Sequence, residues 1–308
     1  MTGTRYDSGV TAPIASFRDR IAACVAARRA LLVPGAANAL SARIIADLGF
    51  EAVYVTGAGV TNMYLGLPDM GFLSLTQLAE HTAAIRDAVT LPIIVDADTG
   101  FGNALNVHHT VCVLERTGAN AIQIEDQVSP KRCGHFAGKD VIPVGEMLGK
   151  IHAAVDARTG ADLLIIARTD ARAVDGFQAA VDRASAYIES GADITFVEAP
   201  ESLDEMRRIP QLLAVPQIVN MVVGGKTPIV DASELSAMGF AIVLYANAAL
   251  QGAILGMQNA LRELKERGRL DESSASLVSF AARQRLVQKP LYDEMEGKYA
   301  RKNEDEGK

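Results

Sequence analysis

The chain has 308 residues, 49% of them hydrophobic, enough to bury a sizeable core, and no stretch approaches the roughly 18 uncharged apolar residues of a membrane span. A formal charge of −7 leaves no basic field to gather nucleic acid or an anionic lipid surface. Three cysteines without a CxxC pair exclude a disulfide scaffold, and a polar opening segment, MTGTRYDSGVTAPIASFRDR, is unlike a secretory leader, so the expectation is a cytoplasmic protein with free thiols.

In chain order, eight short apolar or β-branched runs recur: ALLVPG (30–35), AVYVTG (52–57), PIIVDAD (92–98), AIQIED (121–126), LLIIARTD (163–170), ITFVEA (194–199), QIVNMV (217–222) and AIVLYA (241–246). Each leads into a Gly, Asp or Asn cluster and then a segment of helical period, such as ALSARIIADLGF, SLTQLAEHTAAIRDAV or GFQAAVDRASAYIESGA. Several of these helices run into a glycine, at 49, 118, 191 and 239, where a left-handed stop is expected. Eight βα units with near-continuous apolar strands predict an α/β fold of the (β/α)8 type rather than an open sheet, and TGAG after the second run lacks the spacing of a dinucleotide fingerprint. We expect a single domain over 1–308, with the barrel at about 28–265 and a helical extension at about 266–300. That extension exceeds what a barrel needs, and it can pack on its own chain or on a neighbouring subunit.

Catalytic groups of such barrels gather at the C-terminal ends of the strands. Here those ends carry Thr56 and Gly57; Asp96 and Asp98; Glu125 and Asp126; Arg168, Thr169 and Asp170; Glu198; Asn220; and Tyr245 and Asn247. Converging carboxylates repel unless a cation sits among them, and a donor set made only of oxygens selects Mg2+, with Mn2+ as its near substitute, over zinc. Read as strand residues two apart, Asp96 and Asp98 both point into the mouth. Any one acid could instead cap a helix, and Asp69 in LGLPDMG could simply start a turn. A cation beside an arginine suits an anionic substrate that chelates through carboxylate and hydroxyl or keto oxygens, which leaves retro-aldol cleavage, decarboxylation and phosphoryl chemistry all open.

The segment SPKRCGHFAGK (129–139) follows the fourth strand closely and falls on a loop beside that mouth. Lys131, Arg132 and His135 flank Cys133 and favour proton exchange at its thiol, which suits a nucleophile or a general acid. Cys24 and Cys112 lie on apolar helical stretches and read as structural.

Together VTGAGVTNMYLGLPDMG, VDADTGFG, IEDQVSPKRCGH, the GK at 138 and 139, ARTDAR, FVEAP and NMVVGGKTP resemble the isocitrate lyase and phosphoenolpyruvate mutase superfamily over residues 12 to 265. The resemblance implies a Mg2+-dependent (β/α)8 enzyme acting on a small dicarboxylate, assembled as a homotetramer whose C-terminal helices exchange between subunits. KRCGH is similar to the lyase branch. By the same resemblance Asp96 contacts the metal while Asp69, Asp98 and Glu125 hold its waters. Tyr54, Thr56, Gly57 and Ala58 line the pocket for the 2-oxo acid half, Arg168 polarises the developing keto acid, and Gly134, His135, Glu198 and Asn220 grip the second carboxylate.

The activity so implied is retro-aldol cleavage of a 2-alkylmalate, such as 2,3-dimethylmalate to pyruvate and propionate. Cys133 is the acid, Tyr54 or a metal-held water the base, and Lys131 and Arg132, with His135, supply charge for the carbanion. Cleavage of 2-methylisocitrate, hydrolysis or decarboxylation of oxaloacetate, and non-catalytic binding of a dicarboxylate are the alternatives. LYANAALQ departs from the pattern by placing Ala246 where methylisocitrate-cleaving members carry proline, which favours the smaller malates.

Overall fold

The computed structural model describes residues 16–132, 134 and 138–300, so Cys133 and His135 lie outside the described residues. All eight expected strands form: β1 (Leu31–Ala36), β2 (Val53–Val55), β3 (Ile93–Asp96), β4 (Ala121–Glu125), β5 (Leu164–Thr169), β6 (Ile194–Val197), β7 (Gln217–Asn220) and β8 (Ile242–Tyr245). They pair in parallel in sequence order, and β1 closes on β8 from Leu31 opposite Ile242 to Pro34 opposite Tyr245. The chain is therefore a closed eight-stranded barrel ringed by helices.

Helices stand between consecutive strands: α2 (Ala39–Asp47), α4 (Leu75–Ala88), α5 (Ala104–Arg116), α6 (Val144–Ala157), α7 (Phe177–Glu189), α8 (Leu203–Leu212) and α9 (Ala232–Met238). Their starts follow from local chemistry. Asn38, Ser74 and Asn103 each accept a hydrogen bond from the backbone N–H three residues on, in reciprocal capping boxes. Gly239 ends α9 at φ 107°, a conformation that costs a glycine little. Before β1, α1 (Phe17–Ala26) buries Phe17, Ile21 and Cys24 against barrel residues including Leu31, Ile194 and Ile242. Arg18 pairs with Asp193 just ahead of β6 at 2.8 Å, so α1 closes the N-terminal end of the barrel.

Strand alternation sorts the side chains. Val53, Val55, Ile93, Val95, Ile165 and Ala167 pack outward among the helices, whereas Tyr54, Ile94, Leu164, Ile166, Ile194 and Phe196 share the interior cluster. Continuing that parity to the strand ends brings Asp96, Glu125, Arg168, Glu198 and Asn220 to the inner face at the mouth.

Two expectations need correction here. β3 ends at Asp96, not at 98, and Asp98 has a left-handed φ of 49°, so it reaches the mouth from a turn rather than by strand alternation. Likewise β2 ends at Val55, and Thr56 caps a short helix, α3 (Gly57–Val60), which runs into a single wide turn at Thr61–Leu65. After β8 come α10 (Ala248–Arg267), α11 (Phe280–Leu286) and α12 (Lys289–Tyr299). Only Leu250 of α10 is buried, and none of α11 or α12 is, although Arg285 is tied to Asp47 of α2. No described helix is long and apolar enough to cross a membrane.

Candidate active site

The mouth holds a recess of about 40 Å³ that opens to solvent. Most of the residues singled out in the sequence line it: Tyr54, Thr56 and Ala58 from the β2 side, Asp69 and Asp96, then Lys131, Arg132 and Gly134, and finally Arg168, Glu198 and Asn220. Gly57, Asp98 and Glu125 lie immediately behind this wall. A Cβ at Gly57 would stand 3.0 Å from Asp98 Oδ1 and 3.4 Å from Asp96 Oδ2, so a side chain there would push the two carboxylates. Glycine is what allows the start of α3 to touch the acids.

Asp96 is held rigidly, its Oδ1 accepting from the Asp98 backbone N–H and from Gln123 Nε2, both at 3.2 Å. Arg168 stands two strands on, beyond Glu125 of β4. Its Nε and Nη2 donate to the two oxygens of Asp170 at 2.9 and 3.1 Å, its Nε lies 3.3 Å from Glu125 Oε2, and its Nη1 lies 3.6 Å from Glu198. The guanidinium also sits over the Phe196 ring at 5.3 Å. So clamped, Arg168 presents a fixed positive charge with little freedom left to lose on binding an anion.

Lys131 is placed differently from the sequence expectation. Its ammonium reaches in among the acids, 2.5 Å from Asp69 and 2.9 Å from Asp98, and its side chain is 5% exposed. Lys131 therefore neutralises the carboxylate cluster, whereas the sequence expectation gave its charge to the substrate's carbanion. The physical reason is charge: Asp69, Asp96, Asp98, Glu125 and Glu198 converge, and an ammonium nearby lowers their repulsion. Burial, opposed by Lys131, still lifts Asp98 to about 6, and burial, opposed by Arg168, lifts Glu125 well above the carboxylate range. Lys131 itself is held charged, since the pull of Asp98 and its neighbours outweighs the cost of burying it.

This donor set fits a hard divalent cation. Five carboxylates converge with Lys131 and Arg168 among them and Arg132 on the lining, and the buried Glu125 Oε1 and Gln123 Oε1 have no hydrogen-bond partner. Among the described residues no three His, Cys, Asp or Glu side chains stand close enough to grip an ion by themselves. Mg2+ rarely needs that, because it commonly binds one or two carboxylates and fills its shell with water and substrate oxygens.

The expectation that Tyr54 takes a proton is not supported. Burial above all, with the Asp96 carboxylate adding to it, pushes the phenol well above its usual range, so at neutral pH it is a hydrogen-bond donor. Asp126, which the strand ends seemed to offer to the ring, faces outward. It accepts from Thr169 Oγ1 and Tyr187 Oη, both at 2.7 Å, and from the Asp170 backbone at 2.9 Å, locking β4 to β5 and α7.

Gly134 lies against the site. A Cβ on it would come 2.6 Å from Arg168 Nη2 and 2.7 Å from Glu198 Cγ, so the KRCGH segment abuts this ion pair through a residue with no side chain. The base of its loop is well built: Val128 N–H donates to Asp140 O and Ile142 N–H to Asp126 O, each at 2.9 Å, while the Gln127 amide bonds both the N–H and the carbonyl of Arg132. Phe196, Val222 and Leu244 complete the lining and were not singled out in the sequence, where nothing separates them from other core apolar residues. Ala246 and Asn247 also line it, and Asn247 Oδ1 is buried without a partner.

The chain is similar to known proteins over most of its length. The family model described as phosphoenolpyruvate phosphomutase matches residues 21–265. A 2,3-dimethylmalate lyase of Eubacterium barkeri is 42% identical over 89% of this chain and 94% of its own length. A 2-methylisocitrate lyase of Aeropyrum pernix is also 42% identical, over 90% of this chain and 89% of its own. Among solved structures, a phosphonopyruvate hydrolase in complex with oxalate and Mg2+ superposes with a TM-score of 0.81 at 30% identity, covering 92% of this chain and 99% of that one.

Proposed function

The chain belongs to the phosphoenolpyruvate mutase and isocitrate lyase superfamily and is a carbon–carbon lyase, and from that premise we propose that it cleaves a 2-alkylmalate, with 2,3-dimethylmalate as the first substrate to test. The observation that carries this reading is the Arg168 clamp facing Asp96 and Asp98, with Gly134 of the KRCGH segment seated against Arg168 and Glu198. We read Arg168 as the anion-binding group and Asp96 with its acidic neighbours as the cation-binding group of one small recess, with Gly134 seated beside them.

Mg2+, or Mn2+ in its place, would be held at Asp96 with Asp69, Asp98 and Glu125 around it, and there it would supply the positive charge that acidifies a chelated hydroxyl. The chain's own groups do the rest. The Thr56 hydroxyl and the backbone N–H groups of Gly57 and Ala58 receive the carboxylate of the pyruvate half. Tyr54, kept protonated by burial, donates to an oxygen of that half, and Arg168 stabilises negative charge as the hydroxyl becomes a keto oxygen. The C2 hydroxyl gives its proton to a water in the recess, and the C2–C3 bond breaks with its electron pair on C3, giving pyruvate and a carboxylate-stabilised carbanion. Arg132 and His135 are assigned to supply positive charge for that carbanion, and Cys133 gives its proton to C3, which yields propionate.

Residues Glu198 and Asn220 hold the second carboxylate in place, the first through Arg168 and the second through its side-chain amide. The recess near β8 is lined by Leu244, Ala246 and Asn247, and there we place the methyl group of a dimethylmalate. We assign the protein to the cytoplasm as a homotetramer in which the exposed apolar residues of α10 to α12, among them Leu255, Leu261 and Phe280, are covered by another subunit.

The test is a panel of 2-alkylmalates, 2-methylisocitrate and oxaloacetate, assayed with Mg2+ by coupling pyruvate release to NADH oxidation and by direct detection of oxalate. Pyruvate released fastest from 2,3-dimethylmalate is the expected result. Preferential release from 2-methylisocitrate, or oxalate from oxaloacetate, would replace the assignment.

A further inference from the structure

The ion pair beneath the KRCGH loop is used by none of the chemistry above. Lys139 lies at the far end of that loop, yet its side chain is 2% exposed. Its ammonium donates to Gly134 O and, at 2.6 Å, to Asp170 Oδ1. Asp170 is fully buried and is the same carboxylate whose two oxygens clasp Arg168. Its backbone N–H is in turn fixed by Asp126. Buried lysine is costly unless paired, and here the pairing joins two parts of the site that are far apart in sequence.

We propose that Lys139 is a positioning residue: by bridging Gly134 O and Asp170, it makes the seat of the KRCGH loop and the orientation of Arg168 one shared geometry. This deepens the lyase reading and rests on it for its kinetic arm. The argument from geometry is direct. Gly134 separates Cys133 from His135 in the chain, and its carbonyl is held by Lys139 while its α-carbon abuts Arg168 and Glu198. A carbonyl released from Lys139 lets that segment drift, and an ångström of drift at a proton donor costs on the order of a hundredfold in rate.

The experiment compares the wild-type full chain with Lys139→Met and Lys139→Arg. Limited trypsin digestion, read by mass spectrometry, follows cleavage after Lys131 and Arg132 against cuts after the exposed Arg207 and Arg208 of α8 as an internal clock. The expected result for Lys139→Met is faster cleavage after Lys131 and Arg132 at an unchanged clock and an unchanged melting temperature. With it goes a fall of about a hundredfold in kcat for 2,3-dimethylmalate and a much smaller change in KM, and Lys139→Arg recovers part of both. Wild-type kcat with an unchanged cleavage pattern would overturn the proposal. So would faster cuts throughout the chain with a lowered melting temperature, which mark a merely structural lysine. If the wild type turns over no substrate of the panel, the lyase reading fails, while the cleavage pattern still decides whether Lys139 seats the loop.

Discussion

Replacing Gly134 by alanine puts a methyl group where the structure leaves no room. The new Cβ would stand 2.6 Å from Arg168 Nη2, 2.7 Å from Glu198 Cγ and 2.8 Å from Glu198 Cδ, against about 3.4 Å for an ordinary contact. A guanidinium end would normally swing aside at little cost. Arg168 does not have that freedom, since Asp170 holds it by two hydrogen bonds at 2.9 and 3.1 Å and Phe196 backs it. The loop must therefore retreat by most of an ångström or force Arg168 off its partners. Overpacking of this kind costs roughly 1–3 kcal/mol. At about 1.4 kcal/mol per factor of ten, the seated loop is depopulated by about ten- to a hundredfold, and kcat/KM should fall by a similar factor. The measure is pyruvate release from 2,3-dimethylmalate with Mg2+, alongside a thermal melt to show that the barrel is intact. A Gly134→Ala enzyme with wild-type kcat/KM would show that the loop does not work from this seat.

Four further outcomes follow from the same geometry. Cys133→Ser should keep its affinity for Mg2+, measured by calorimetry, and lose about a hundred- to ten-thousandfold in kcat; turnover near wild type would remove Cys133 as the acid. Adding Mg2+ to EDTA-treated protein should raise its melting temperature, because a ligand at a hundred times its Kd stabilises by about 2.7 kcal/mol, and a melt indifferent to Mg2+ would contradict the assignment of Asp96 and its neighbours. Tyr187→Phe removes the 2.7 Å bond to the outward-facing Asp126 and should cost about 1–3 kcal/mol of stability, read by denaturation, with kcat retained; a large loss of kcat would mean that Asp126 serves the site after all. Asn247→Ala removes a pocket-lining amide and should change the ratio of kcat/KM for 2,3-dimethylmalate over 2-methylisocitrate by about five- to tenfold, the worth of roughly one hydrogen bond, and an unchanged ratio would exclude Asn247 from substrate selection.

Much of this protein is determined locally and so can be read from the chain. Runs such as PIIVDAD and LLIIARTD are apolar for as long as a buried strand lasts, the helices between them announce their starts with Asn38, Ser74 and Asn103, and eight such units have few ways to close other than a barrel. Parity along each strand then sends Asp96, Glu125, Arg168 and Glu198 to the same mouth, because neighbouring side chains must point to opposite faces. What the tertiary structure alone decided depends on groups distant in sequence. Asp98 enters from a left-handed turn, Asp126 turns out to meet Tyr187, and Lys131 turns in to meet Asp69, 62 residues away. Lys139 reaches Asp170 through the back of the loop. Each of these is a buried charge finding a counter-charge or a hydrogen-bond donor, and the need for such a partner is legible in the residue type while its identity is set only by which elements the closed barrel makes neighbours.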